Sequence, residues 1–130
     1  MRLIIAAASL LLATSLYGCS NTVEHTRSVT ASAYTLSEAE TKKGNVGLAA
    51  WGDQLEPGMK AIAVSRDLIK AGLSHRTEVE IEGLHGTYLV LDKMNKRWKD
   101  KIDILMSSRQ DALDWGKKDI TITWEVPVEE

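Results

Sequence analysis

The chain has 130 residues, 44% of them apolar and 26% charged, with 16 basic against 18 acidic side chains and a formal charge of −2. That is material for one small domain, too apolar for a disordered chain and too evenly charged to coat nucleic acid by bulk attraction. The single cysteine excludes a disulfide framework and a cysteine-rich zinc site, and the three histidines, His25, His75 and His85, nowhere fall at a helical ligand spacing.

Met1 and Arg2 precede an apolar run over positions 3–16, which is short for a membrane span and has the shape of an export signal. The run ends in Leu16-Tyr17-Gly18-Cys19, which resembles a bacterial lipobox. Residues 1–18 are then a lipoprotein signal peptide, cleaved before Cys19, whose thiol carries the lipid that holds the protein to a membrane. Ser20 after the cysteine favours the outer membrane, facing the periplasm. An ordinary signal peptide cleaved nearby is the other reading. Residues 19–29 read as the lipidated cysteine and a tether, because SNTVEHTRS lacks apolar periodicity, and His25 is expected to be solvated there. The domain is placed at 30–126, with 127–130 as a tail.

From position 30 the chain reads as short strands. Residues 30–35 (TASAYT) and 61–64 (AIAV) are candidates, and 78–82 (EVEIE) alternates Val79 and Ile81 against three glutamates. A Gly-Leu-His-Gly loop leads from it into 87–91 (TYLVL), a hairpin pattern, and 101–106 (KIDILM) and 119–126 (DITITWEV) come after. Residues 43–52 hold three glycines, suited to bends. Two short helices interrupt. One is at 65–72, opened by Ser65 as N-cap; the other is at 107–116, where Ser107 and Gln110 have capping-box spacing and Gly116 is a stop. Six or seven short strands with two small helices specify a mainly β fold, a compact barrel with helical crossovers. Trp115 and Trp124 follow the apolar period of their elements and are assigned to the core, whereas His75 and His85 fall in turns and are expected in solvent.

Acids are the catalytic groups available. No serine has a nucleophile-elbow setting and no glycine-rich run fits a phosphate loop. Asp103, between Ile102 and Ile104, is in a setting that desolvates a carboxylate and suits it to general-acid work. Asp92 ends an apolar strand and opens a charged loop, the usual position of a site residue. For both, a turn-capping or solvated carboxylate is the competing reading. Residues 93–101 place five cations around Trp98, a pattern that stacks on a sugar or a base and grips carboxylates or phosphates, or else a solvated loop over the barrel end. Asp92, Asp100 and Asp103 also offer a weak cation site, although no dedicated metal site is evident.

The ordered series Ala33-Tyr34-Thr35, Ala61-Ile62-Ala63-Val64, EVEIEG at 78–83, Val90-Leu91-Asp92, Ile102-Asp103-Ile104, and Ala112 to Trp115-Gly116 resembles the three-aspartate (3D) domain. That family is related to rare lipoprotein A and to the catalytic part of membrane-bound lytic murein transglycosylase A. The resemblance implies a small six-stranded double-psi β-barrel with two short helices. It places the family's second aspartate on Asp92 and its third, the single acid/base of the transglycosylase relatives, on Asp103. Ser65 stands at the first, and Lys93-Met94-Asn95 replaces the frequent Thr-Gly-Gly after the second.

The resemblance further implies an exported, lipid-anchored envelope protein that acts on peptidoglycan glycan strands without a cofactor or a nucleic-acid partner. Asp103 and Asp92 are its catalytic pair, and Tyr34, Thr35, Lys93, Asn95 and Trp98 line the bound glycan. A lytic transglycosylase manages with one acid, since the muramic 6-hydroxyl itself attacks the anomeric carbon; a glycoside hydrolase ordinarily uses two. The competing expectations are a non-catalytic peptidoglycan-binding or structural lipoprotein on the same barrel, and an adaptor that binds protein through Trp51 or Trp98.

Overall fold

The structure is a computed structural model that describes residues 21–37 and 47–128. The signal segment, Cys19, part of the glycine-rich stretch and the last two residues lie outside the described residues. Six strands close a barrel: β1 (Thr22–Tyr34), β2 (Ala61–Val64), β3 (Glu78–Ile81), β4 (Thr87–Lys93), β5 (Lys101–Leu105) and β6 (Lys118–Pro127). Two short helices complete it, α1 (Arg66–Lys70) between β2 and β3, and α2 (Arg109–Trp115) between β5 and β6.

Around the ring the strands run β1-β5-β2-β4-β3-β6. Exchanging the first three strands with the last three turns this ring into itself, and the two parallel pairs, β1 with β5 and β2 with β4, change places. The barrel therefore has an internal two-fold relation, and each half contributes one strand to each parallel pair. That is the connectivity of a double-psi barrel, and the mainly β class read from the sequence holds.

Alternation decides what lies inside. Ala31, Ile62, Val64, Val90, Ile102, Ile104, Ile122 and Trp124 project inward and are essentially excluded from water. Leu68 of α1 and Leu73 after it are fully buried in the same cluster, so truncating either to Ala costs about 2–5 kcal/mol. Gly72, between them, sits at φ +110°, and a Cβ there would lie 2.7 Å from the Val126 side chain and 3.1 Å from Trp124 Nε1. A second cluster (Ala49, Leu55, Ala61, Leu91, Leu105, with Tyr34 and Met59) lies on the other side of the wall, where the segment 47–60 packs over β2 and its neighbours.

Three local expectations are corrected, and a fourth, Ser65 as the N-cap of α1, holds in position. Residues 22–29 are not a tether but the first part of β1, paired along its length with β6 from Thr22 opposite Pro127 to Ala31 opposite Lys118. Their side chains are mostly exposed, so the strand leaves no apolar alternation to read. β6 likewise takes in Pro127, expected in the tail. The N-cap of α2 is Ser108, whose Oγ accepts from the Asp111 amide at 3.0 Å, one residue later than the capping-box spacing suggested. Ser65 holds the N-cap position of α1 but makes no cap bond. Its hydroxyl, fully buried, accepts from the Lys101 amide at 3.0 Å and ties α1 to the start of β5.

Candidate active site

Strand register brings the two acids together. Ala63 of β2 stands opposite Asp103 of β5 on one side and opposite Asp92 of β4 on the other. The Cα atoms of Asp92 and Asp103 are thus two strand spacings apart, about 9–10 Å. On β5, Lys101, Asp103 and Leu105 alternate with the interior Ile102 and Ile104; on β1, Thr30, Ser32 and Tyr34 alternate with Val29 and Ala31. These residues share the outer face of the wall, the groove face, with Ala63 between the two acids and the 47–60 segment packed over Tyr34 and Leu105.

Asp92 reaches this face because β4 is irregular. Tyr88 and Val90 point into the barrel, and a regular strand would send Asp92 after them. The pairing with β2 shifts by one residue between Ile62 and Ala63, so Leu91 is skipped and Asp92 faces outward. A bulge that re-aims one side chain is a frequent device beside functional sites.

Each acid is held. Asp92 Oδ1 accepts from the amides of Ala50 and Lys93, both at 2.9 Å. Asp103 Oδ1 accepts from the Ser32 hydroxyl at 3.1 Å. The Tyr34 hydroxyl is buried with no hydrogen-bond partner among the described residues. Burial first, and then the charges of Asp92 and Asp103, push its phenol well above its ordinary value, so it remains a proton donor throughout the neutral range.

Other expected groove residues are distributed differently. Thr35 is buried and paired with the Ser37 hydroxyl at 2.9 Å. The Asn95 side chain accepts from the Arg97 amide at 3.0 Å, shaping its own loop. Lys93 extends over the Trp51 ring, 5.4 Å from its centre, and Trp98 carries Arg97 and Lys101 on its ring. Asp100 is turned to Arg27 at 2.8 Å, so it does not join Asp92 and Asp103, and no group of three or more metal-ligating side chains is placed for an ion among the described residues.

Asp67 does not supply the charge that Ser65 lacks to the groove, because it accepts from the Asp100 amide at 3.0 Å and lies 3.9 Å from Arg27. Desolvation works to raise its pKa. Hydrogen bonds from Ser65 and from backbone amides, together with Arg27, outweigh that and hold it below the ordinary carboxylate range.

A cluster with no sequence signature supports Asp92. His75, expected in solvent, stacks on Trp51 with ring centres 4.8 Å apart. Its Nε2 lies 2.5 Å from Asp53 Oδ2, and Arg76 Nη1 lies 2.9 Å from the other oxygen. Asp53 thereby clips the 47–55 loop, whose Ala50 amide holds Asp92, to the turn before β3. Close approach at Gly47, where a Cβ would fall 2.6 Å from the Leu55 carbonyl oxygen, closes the base of that loop. A tryptophan beside an aspartate in a glycine-rich stretch is the only local sign of a built loop; its pairing with residues 75–76 is tertiary. His85 is exposed, and its carbonyl accepts from Lys60 Nζ at 2.9 Å.

A separate cleft of about 450 Å³ opens on the opposite wall, between β3 and β6, lined by Glu24, Glu78, Glu80 and Glu125 among others. It contains neither groove acid.

The fold and groove thus define a closed six-stranded barrel of double-psi connectivity with an outward-facing pair of aspartates. No family model matches the chain, and no curated protein does. Among solved structures it is similar to the apo-expansin of Clavibacter michiganensis, at 19% identity and a TM-score of 0.51. The match covers 82% of this chain and 52% of the expansin chain, so this protein corresponds to about half of that structure. The likeness is one of fold.

Proposed function

We propose that the protein is an exported lipoprotein of the bacterial cell envelope, anchored through Cys19 and acting on peptidoglycan glycan strands as a lytic transglycosylase-like enzyme. The observation that carries this reading is the placement of Asp92 and Asp103 on either side of Ala63, facing out of the barrel, with the Tyr34 hydroxyl in electrostatic reach of both. The likeness to the 3D domain and the barrel shared with an expansin support a cell-wall polymer as the substrate class.

In this mechanism Asp103 starts protonated and gives its proton to the glycosidic oxygen as the bond from the anomeric carbon to that oxygen breaks. The muramic 6-hydroxyl then attacks the anomeric carbon and closes a 1,6-anhydro ring. Its proton returns to the Asp103 carboxylate, which restores the acid. No water is consumed, so one carboxyl serves both steps. Ser32 orients Asp103, and Asp92, fixed by two amides, shapes the site beside it.

Purified sacculi incubated with the full-length protein test this directly, with Asp103→Asn alongside and the released muropeptides read by mass spectrometry. Products lighter by one water than hydrolysed ones, lost in the variant, are the expected result. Hydrolysed products refute the anhydro step, and unchanged release by the variant refutes the role of Asp103.

One observation favours a second reading, a non-catalytic peptidoglycan-binding or structural lipoprotein using the same groove. Ser65, at the position of the family's first aspartate, is spent on the fold and gives the groove no charge. On that reading the protein pellets with sacculi and releases nothing.

A further inference from the structure

The loop joining β4 to β5 connects the two strands that carry the acids, and Lys93, Lys96, Arg97, Lys99 and Lys101 surround Trp98 along it. The ion pairs that Arg27, His75 and Arg76 make with Asp53, Asp67 and Asp100 involve no cation of this loop. Two of the loop's cations converge on one indole. Lys101 Nζ lies 4.6 Å and Arg97 Cζ 4.9 Å from the centre of the Trp98 ring. Lys101 is only 8% exposed. It precedes Asp103 by two residues on β5 and so shares its outward face, about 7 Å further along the strand.

Attraction to the ring holds each cation in place but neutralises neither, and two like charges gathered on one indole are an arrangement that an anion relieves. A guanidinium edge takes a planar carboxylate through two parallel hydrogen bonds, while the indole face beside it suits the hydrocarbon stem on which such a group is carried.

We propose that Arg97, Trp98 and Lys101 form a carboxylate-binding subsite at the end of the Asp103 groove, occupied by acidic branches of a glycan strand lying along β5. The proposal rests on the groove being a glycan site and adds the substrate class: a carboxylate-bearing strand is preferred over a neutral one. Lys93, over Trp51, and Asn95, in its turn, stand outside this subsite.

The test is co-sedimentation of the full-length protein with intact sacculi, with sacculi whose carboxylates have been amidated, and with chitin as the neutral polymer. Amidation is expected to weaken binding about tenfold, the loss of one charge-assisted contact, and chitin to bind no better than amidated sacculi. Arg97→Gln should lose about as much on intact sacculi and nothing further on amidated ones. Lys101→Met, which keeps the buried stem, should behave alike, and each lost cation should lower the salt dependence by about one. Equal binding to intact and amidated sacculi overturns the proposal, as does an Arg97→Gln loss that is the same on both. Displacement by polyphosphate at lower charge equivalents than polyglutamate overturns the carboxylate assignment.

Repeating the series with Asp103→Asn separates the two readings. Carboxylate-dependent binding without any cleavage by the unmodified protein refutes the enzyme alone. Cleavage with carboxylate-independent binding refutes the subsite alone.

Discussion

Replacing Tyr34 with Phe removes one buried oxygen from the groove and leaves the ring in its packing against the second cluster. That oxygen has no hydrogen-bond partner among the described residues. A buried hydroxyl left unpaired costs about 1–3 kcal/mol, so the substitution should return part of this and stabilise the protein by about 1 kcal/mol. In urea, with a slope of about 1–2 kcal/mol/M, the midpoint should rise by about 0.5–1 M. The same oxygen feels the charges of Asp92 and Asp103 but is shielded from solvent, so a glycan strand on the surface does not reach it. Its loss should therefore leave sacculus binding unchanged. Stability should rise while binding holds. Equilibrium unfolding and co-sedimentation on the same preparation read both. A variant less stable than the parent would show that the hydroxyl has a partner, and weakened binding would show that it faces the glycan; either result refutes the argument.

Three further outcomes are expected from the packing and charge of the fold. Gly72→Ala should cost about 2–4 kcal/mol, from a positive φ and the close approach to Val126 and Trp124; a variant that unfolds in urea like the parent would contradict this. Asp67 is held below its ordinary pKa of 3.8, so its contribution to stability is complete above about that pH and disappears as the pH falls through the folded value. Asp67→Asn should accordingly be less stable at neutral pH and lose less between pH 4 and 2, checked by urea midpoints across that interval, with parallel curves as the contrary result. Asp53→Asn should free the 47–55 loop by about 1–2 kcal/mol, mostly through His75, since the Arg76 partner is 58% exposed. Hydrogen exchange at the Ala50 amide should quicken about tenfold while the Val79 amide is unaffected, and equal protection in the variant would dismiss the clip.

Legibility in the sequence was set by what water touches. AIAV at 61–64 coincides with β2 because all four residues are buried, and EVEIE marks β3 because one face is wet and the other dry. Ile-Asp-Ile announced an acid on the outer face of an otherwise buried strand, and Asp103 is there. The bulge in β4 left no such mark. Leu91 and Asp92 look like the next two steps of an alternating strand, and only pairing with β2 reveals the skipped residue that turns Asp92 outward. Residues 22–29 escaped because a ribbon wet on both faces has no period, and His75 because its partners lie more than twenty residues away.

The early part of β1 also fixes a distance. Thr22–Val29 pair with β6 alone before β5 joins at Thr30; beyond Trp124, where β3 leaves β6, residues 22–24 and 125–127 form a two-stranded arm with His25 stacked on Trp124 at its base. At the far end Val128 donates to the Asn21 carbonyl at 2.9 Å, so the described chain enters and leaves side by side. Ten residues of extended strand separate Thr22 from Ser32 in the groove, about 33 Å. A pull exerted at Asn21 is therefore transmitted along an extended strand, and Ser32 stands at a set distance from that point. Inserting two residues into each strand of the arm would lengthen that distance by about 7 Å without touching the barrel.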